Sequence, residues 1–375
     1  MKISLDISQI VYSGTGVARF TDGLVNAILE NDKNNDWLFF FSGLRRQLSK
    51  ELEKRIADRG FKLLKWKLPP SVLSFYWNDL HRFSSLLPTP YSLQTNPDWF
   101  ISSDWAEPAV SRTKKATVIH DLVFKRYPET VNGKIRQTQT KRLEWVKKES
   151  NIIFADSEAT KKDIVDILGV AATKIVVNYP GVTVTKPAET TVKQTLKKYD
   201  LTKPFILAVG KLEPRKNLDR LIDAMKQWNN EAIDLVIVGP KGWDSTIQQY
   251  NNSAISNIKF LGYVNDTELY SLYSLSLFLI YPSIWEGFGY PLVEAMKLGK
   301  PVACSNTSSI AEIAGEAALT FDPQDVNAMT HCIDAMSRDK RLRKDLIAKG
   351  YRRSTIFSWQ NYYNNFIQTL YDNRN

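Results

Sequence analysis

The chain is expected to be an α/β protein of two domains, each a parallel sheet covered by helices. Three observations predict this. Apolar, strand-like runs alternate with helix-period segments from end to end, the pattern of strand–helix–strand units. The scheme restarts at Phe205, after Tyr179-Pro180-Gly181 and a polar, Thr-rich stretch from Val182 to Val192 with a linker's composition. And 375 residues, 43% of them apolar, suffice for two substantial cores.

The first half opens on a strand at residues 2–7. The turn Ser13-Gly14-Thr15-Gly16 leads into a helix with Val17, Phe20, Leu24 and Ile28 on one face. Further strands are expected at Trp37–Phe41, Trp99–Ser102, Ala116–His120 and Asn151–Ala155. Between them, the stretch Phe61–Tyr91 mixes Lys62, Lys65, Lys67 and Arg82 with Trp66, Phe75, Tyr76, Trp77 and Phe83, and prolines break it. It reads either as an interfacial or groove-lining segment or as a surface excursion whose rings pack inward. In the second half, strands are expected at Phe205–Gly210, Ile233–Val238, Ile258–Leu261, Leu275–Tyr281 and Pro301–Ser305. Aromatic and aliphatic groups at helical spacing make Phe357–Tyr371 a packing helix.

Two turns of the second half carry chemistry. In Glu286-Gly287-Phe288-Gly289-Tyr290-Pro291-Leu292-Val293-Glu294, two carboxylates bracket a glycine-rich turn after an apolar strand. Pro291 is preorganised to open a helix, whose first N–H groups attract phosphate. Gly287 and Gly289 let a ligand approach the backbone, and Glu286 and Glu294, the latter expected in the helix's first turn, suit hydroxyls at the two ends of a nucleotide-sugar. In Gly210-Lys211-Leu212-Glu213-Pro214-Arg215-Lys216-Asn217, three cations share one strand-to-helix turn with Glu213 as the only carboxylate nearby in sequence. An anionic ligand accounts for such a concentration, and a diphosphate leaving group needs that neutralisation. Asn217 is expected to cap the following helix, with Asp219 in its first turn.

With these turns the chain resembles the retaining glycosyltransferases of family 4. Further blocks similar to that family's are Ser13–Phe20, His120-Asp121-Leu122, Ala155-Asp156-Ser157-Glu158, Leu261–Val264, Tyr281-Pro282-Ser283 and Asn306–Ala318. The resemblance implies the GT-B fold: two Rossmann-like domains whose parallel sheets face a central cleft, with a C-terminal helix crossing back to the first. It implies an acceptor-binding domain at 1–185 joined by the helix at about 358–375, and a donor-binding domain at 190–357. By the same resemblance His120 contacts the donor sugar, Glu286 holds sugar hydroxyls and Glu294 the ribose. Lys211, Arg215 and Lys216 hold the diphosphate, with Lys216 and Glu286 joining His120 as catalytic groups. Gly14, Gly16, Gly287, Phe288 and Gly289 complete the donor contacts. Lys211 stands where the family usually has Arg, and Arg215 can supply the bidentate grip that Lys lacks. Ala311 replaces a common Pro before Glu312.

Composition narrows the classes. No apolar run approaches the roughly 20 residues that span a bilayer, and the N-terminus lacks a signal peptide's apolar stretch. Two cysteines, Cys304 and Cys332, are too few for a disulfide framework and read as buried free thiols, which places the protein in the cytosol. The net charge of +10 is concentrated in the first 180 residues, which hold 27 Lys and Arg against 20 Asp and Glu. Without a nucleic-acid module, that excess suits peripheral contact with an anionic membrane such as the inner face of the plasma membrane. The three histidines, His81, His120 and His331, lack metal-ligand spacing, and no Asp-x-Asp triplet occurs, so no metal or other cofactor is expected. The resulting expectation is transfer of mannose from GDP-mannose to a glycan or lipid-linked glycan of cell-surface polysaccharide. Alternatives are a UDP- or dTDP-sugar donor, a sugar-nucleotide epimerase, and a non-catalytic binding subunit.

Overall fold

The computed structural model describes residues 1–12, 14–81, 97–110, 113–242 and 257–374. The chain forms two compact units, Met1–Gly181 together with Ser358–Asn375, and Val182–Phe357. Ser13 and the part of the basic aromatic stretch from Arg82 and Phe83 to Tyr91 lie outside the described residues.

The first unit holds seven strands, β1 (Lys2–Asp6), β2 (Asp36–Ser42), β3 (Lys62–Trp66), β4 (Trp99–Ser102), β5 (Lys114–Ile119), β6 (Ile152–Ala155) and β7 (Ile175–Val177). They pair in parallel in the order β3-β2-β1-β4-β5-β6-β7. β2 is apolar almost throughout because helices cover both faces of a parallel sheet. Phe39 and Phe41 face the core built with the helix Gly16–Asn31, while Phe40 faces Leu73, Trp77 and Phe100. The helix Gly16–Asn31 buries Phe20, Leu24 and Ile28 in the former core. The C-terminal helix Trp359–Asp372 returns to this unit and adds Tyr362, Phe366 and Leu370 to that core. A Cβ at Gly23 would fall 1.9 Å from Trp359 Cζ2, so only glycine lets the two helices pack this closely.

The basic aromatic stretch divides. β3 is an edge strand that the sequence reading did not anticipate, and Trp66 and Trp77 pack inward against Phe40 at 5.1 and 5.4 Å between rings. Phe75 and Leu80 remain exposed, at 51% and 45%.

The second unit holds β8 (Phe205–Val209), β9 (Asp234–Val238), β10 (Ile258–Gly262), β11 (Leu279–Tyr281), β12 (Val302–Ser305) and β13 (Ala318–Phe321), all parallel, in the order β10-β9-β8-β11-β12-β13. Alternate residues of β8 enter different cores, Ile206 and Ala208 on one face, Phe205 and Leu207 on the other. The strand expected from Leu275 begins only at Leu279. Asn265 and Glu268 form a capping box that starts the helix Asp266–Leu275, and Ser276 ends it. The Thr-rich stretch is also shorter than expected, because the helix Glu189–Lys198 starts inside it. Cys304 and Cys332 are buried free thiols. Among the described residues no helix is long and apolar enough to cross a membrane.

Candidate active site

In the second unit the turn after β8 and the loop after β11 meet at the carboxyl ends of adjacent strands, where open α/β sheets bind ligands. Asn217 brings them together. It adopts a left-handed conformation, φ 57°, and its side-chain amide donates to the carbonyls of Pro282 at 3.1 Å and Pro323 at 2.7 Å. It sits at the helix cap position of Leu218–Trp228 but makes no side-chain cap bond, so the expected capping role is replaced by a tie between loops.

Glu286 is the hub of this meeting point. Its Oε1 accepts from Lys216 Nζ at 2.5 Å and its Oε2 from Arg215 Nη1 at 2.6 Å. Lys216 also donates to the Tyr281 hydroxyl at 3.0 Å, and Arg215 to the Trp285 carbonyl at 3.1 Å. Glu213 pairs with Lys211 at 3.1 Å and with Arg215 at 3.4 Å. The three cations therefore do not await a ligand unpartnered, and the carboxylate expected for sugar hydroxyls already engages two of them. Burial pushes Glu286 up, yet Arg215 and Lys216 outweigh it and hold the carboxyl at about 2. Burial draws Lys216 down, and the Glu286 carboxylate limits the fall.

Ser308 and Ser309 pin the glycine loop. Ser308 Oγ accepts from Glu286 N at 3.2 Å, while Ser309 Oγ donates to the carbonyls of Glu286 at 2.8 Å and Phe288 at 3.1 Å. Gly289, at φ 106°, turns the chain into the helix Tyr290–Lys297 in a conformation closed to other residues. Gly287 lies within the pinned loop. The Phe288 ring is buried against Tyr290 and Phe357, so what this residue offers a ligand is backbone. Glu294 falls in the helix's second turn rather than its first, almost fully buried, and accepts from the Tyr273 hydroxyl at 3.0 Å. Helix starts, cations held in place and a glycine-lined backbone are groups that suit an anionic ligand such as a phosphate.

The first unit holds its own cluster. Gly14, at φ 83°, precedes Thr15, whose hydroxyl caps the helix Gly16–Asn31, and a Cβ at Gly16 would meet nothing within 4 Å. Phe20 on this helix sets its ring edge-on to His120 at 4.7 Å. His120 follows β5, and its Nδ1 lies 2.7 Å from Oδ2 of Asp156, which follows β6. Sequence reasoning quoted Asp156 only within a motif. Its position just past a strand's carboxyl end was the available signal. Burial draws His120 down, but Asp156, with Asp104 and Asp121, reverses this and raises it to about 9. Among the described residues no group of three or more His, Cys, Asp or Glu is placed to hold a metal ion.

Two parallel-sheet Rossmann-like units have the architecture of the GT-B fold. Residues 191–353 match the family model of glycosyl transferases group 1. The O-antigen chain mannosyltransferase B of Escherichia coli is 27% identical over 376 residues, covering 96% of this chain and 97% of that protein. The serotype-specific mannosyltransferase WbdA of Escherichia coli is 28% identical over 66% of this chain, which spans 32% of that longer protein. The crystal structure of Anabaena HepE in complex with UDP-glucose superposes with a TM-score of 0.73 over 99% of this chain and 100% of that one, at 16% identity, and supports the fold. These likenesses support a mannosyltransferase-like glycosyltransferase of the GT-B fold.

Proposed function

We propose that the protein is a retaining, metal-independent mannosyltransferase of family 4. It transfers mannose from GDP-mannose to a hydroxyl of a glycan or lipid-linked glycan during cell-surface polysaccharide synthesis. The observation that carries this reading is the Arg215–Glu286–Lys216 triad beside the glycine loop, with Glu286 and Lys216 buried and Arg215 half-buried, a cation pair already assembled where a diphosphate can be neutralised. As the glycosyl bond breaks, negative charge builds on the departing phosphate, and Lys211, Arg215 and Lys216 with the helix starts stabilise it. Glu294 holds the ribose, and Glu286 turns to the sugar hydroxyls once the phosphates take over its cations. His120 contacts the sugar, and Gly14 and Gly16 offer open backbone. The choice of mannose rests on relatives named as mannosyltransferases, one of them matched along nearly the whole chain.

The first unit is proposed to bind the acceptor and to rest peripherally on the anionic cytoplasmic face of the membrane. Its basic excess and the exposed Phe75 and Leu80 support this. A thermal-shift panel of GDP-, UDP-, ADP- and dTDP-sugars tests the donor. Selective stabilisation by GDP-mannose is expected, and stabilisation by UDP-sugars but not GDP-sugars would overturn the assignment.

A further inference from the structure

We propose that Asp156 is a positioning residue, which clamps the His120 ring through Nδ1 and keeps Nε2 as an N–H donor for a substrate oxygen. The inference rests on the reading above that His120 meets the substrate, and it assigns to Asp156 the control of what that histidine presents.

Asp156 is buried, and only its Oδ2 is satisfied, by His120 Nδ1 at 2.7 Å. Oδ1 is equally buried and has no hydrogen-bond partner among the described residues. A half-satisfied buried carboxylate is costly, and asparagine could hold the same ring without a buried charge. The charge therefore needs a reason, and the ring supplies one. The imidazole is mostly enclosed, its side chain 16% exposed. Enclosure favours the neutral form, in which Nδ1–H bonds Asp156 and Nε2 is a bare acceptor.

The charged groups around the ring favour the opposite state. Asp156 comes from the end of β6, Asp121 follows His120, and Asp104 lies beyond β4, held in turn by Arg142 at 3.0 Å. From the helices packed against it come uncharged groups. Phe20 approaches edge-on, and the Thr160 hydroxyl donates to the His120 carbonyl at 3.2 Å. The carboxylates sustain the imidazolium to about pH 9, and both ring nitrogens then carry protons. Nε2 has no hydrogen-bond partner among the described residues, which leaves it available to an oxygen acceptor of the substrate.

Imidazole NMR of the full chain reads this directly, with the His120 signal assigned by its loss in His120→Gln. In the wild type, His120 is expected to titrate near pH 9. In Asp156→Asn the midpoint should fall by two pH units or more, and Asp156→Glu should restore most of it. Turnover of GDP-mannose should be level through neutral pH in the wild type. In Asp156→Asn, kcat should fall about tenfold or more at pH 8 and recover as the pH is lowered, with little change in donor KM. A merely structural Asp156 would lower the melting temperature and leave the pH profile in place. Wild-type titration near 6.5, or an unmoved midpoint in Asp156→Asn, would overturn the proposal. The NMR result stands even if GDP-mannose is not turned over, so the two readings fail separately.

Discussion

Replacing Glu286 with glutamine should weaken the free protein and strengthen its grip on a nucleoside diphosphate. Glu286 bridges Lys216 and Arg215 at 2.5 and 2.6 Å from a buried position, so Glu286→Gln removes the carboxylate that the two cations share and leaves Lys216 with neutral acceptors and Arg215 with Glu213 at 3.4 Å. Breaking such a buried ion pair costs roughly 3 kcal/mol. For a cooperative block the size of the second unit, that lowers the melting temperature by roughly 6–12 °C. The same change removes a negative charge that an incoming phosphate would face at about 5 Å. At an effective dielectric near 20, that repulsion is about 3 kcal/mol. Loss of the ordered cation pair offsets part of this gain, so GDP should bind roughly 5- to 20-fold tighter. Mannose transfer should fall, because the carboxylate assigned to the sugar is gone. Isothermal titration with GDP and with inorganic pyrophosphate, beside a melting curve, reads both signs. Unchanged or weaker binding by Glu286→Gln would refute the idea that Glu286 occupies the phosphate site of the free protein.

Lys216→Ala should weaken GDP binding by about 1.5–3 kcal/mol, the worth of a charge-assisted hydrogen bond, and unchanged affinity by calorimetry would remove the turn from the site. Glu286 contributes pH-dependent stability of a fixed sign. Its folded pKa of about 2 lies below the ordinary glutamate value of 4.5, so this stability is complete above pH 4.5 and lost as pH falls toward 2. Acid melts should therefore show a steeper loss for the wild type than for Glu286→Gln. Turnover is expected to survive exhaustive chelation, and complete loss that returns with added divalent cation would reject metal independence. Vesicles rich in anionic lipid should co-sediment the protein at low salt and release it at high salt, and indifference at low salt would argue for a soluble acceptor.

What the sequence revealed and what it hid have physical causes. The strands β4, β8 and β9 were legible because burial on both faces makes them nearly continuous apolar runs. β3 was hidden because its lysines, Lys62 and Lys65, are those of an edge strand, whose exposed positions erase the apolar signal. The run from Leu275 to Phe278 read as strand because Leu275 at the helix end, Leu277 in the turn and Phe278 before β11 are apolar and only Ser276 interrupts them. The cations and both glutamates were visible as motifs, but their pairing was not. Glu286 meets Lys216 across 70 residues, and His120 meets Asp156 across 36. Nothing local encodes such contacts. Asn217 shows the converse error, since asparagine before a helix is a good cap by propensity. Here the carbonyls of Pro282 and Pro323 claim its amide instead.

The proposed retaining transfer of mannose from GDP-mannose is tested most directly by the anomeric configuration of the product. GDP-mannose with its mannose labelled is supplied with a lipid-linked oligosaccharide acceptor, and the new linkage is read by NMR. An α-linked mannose from the α-configured donor, with GDP released in equal amount, is the predicted result. A β-linked product, or transfer only from UDP-sugars, would contradict it.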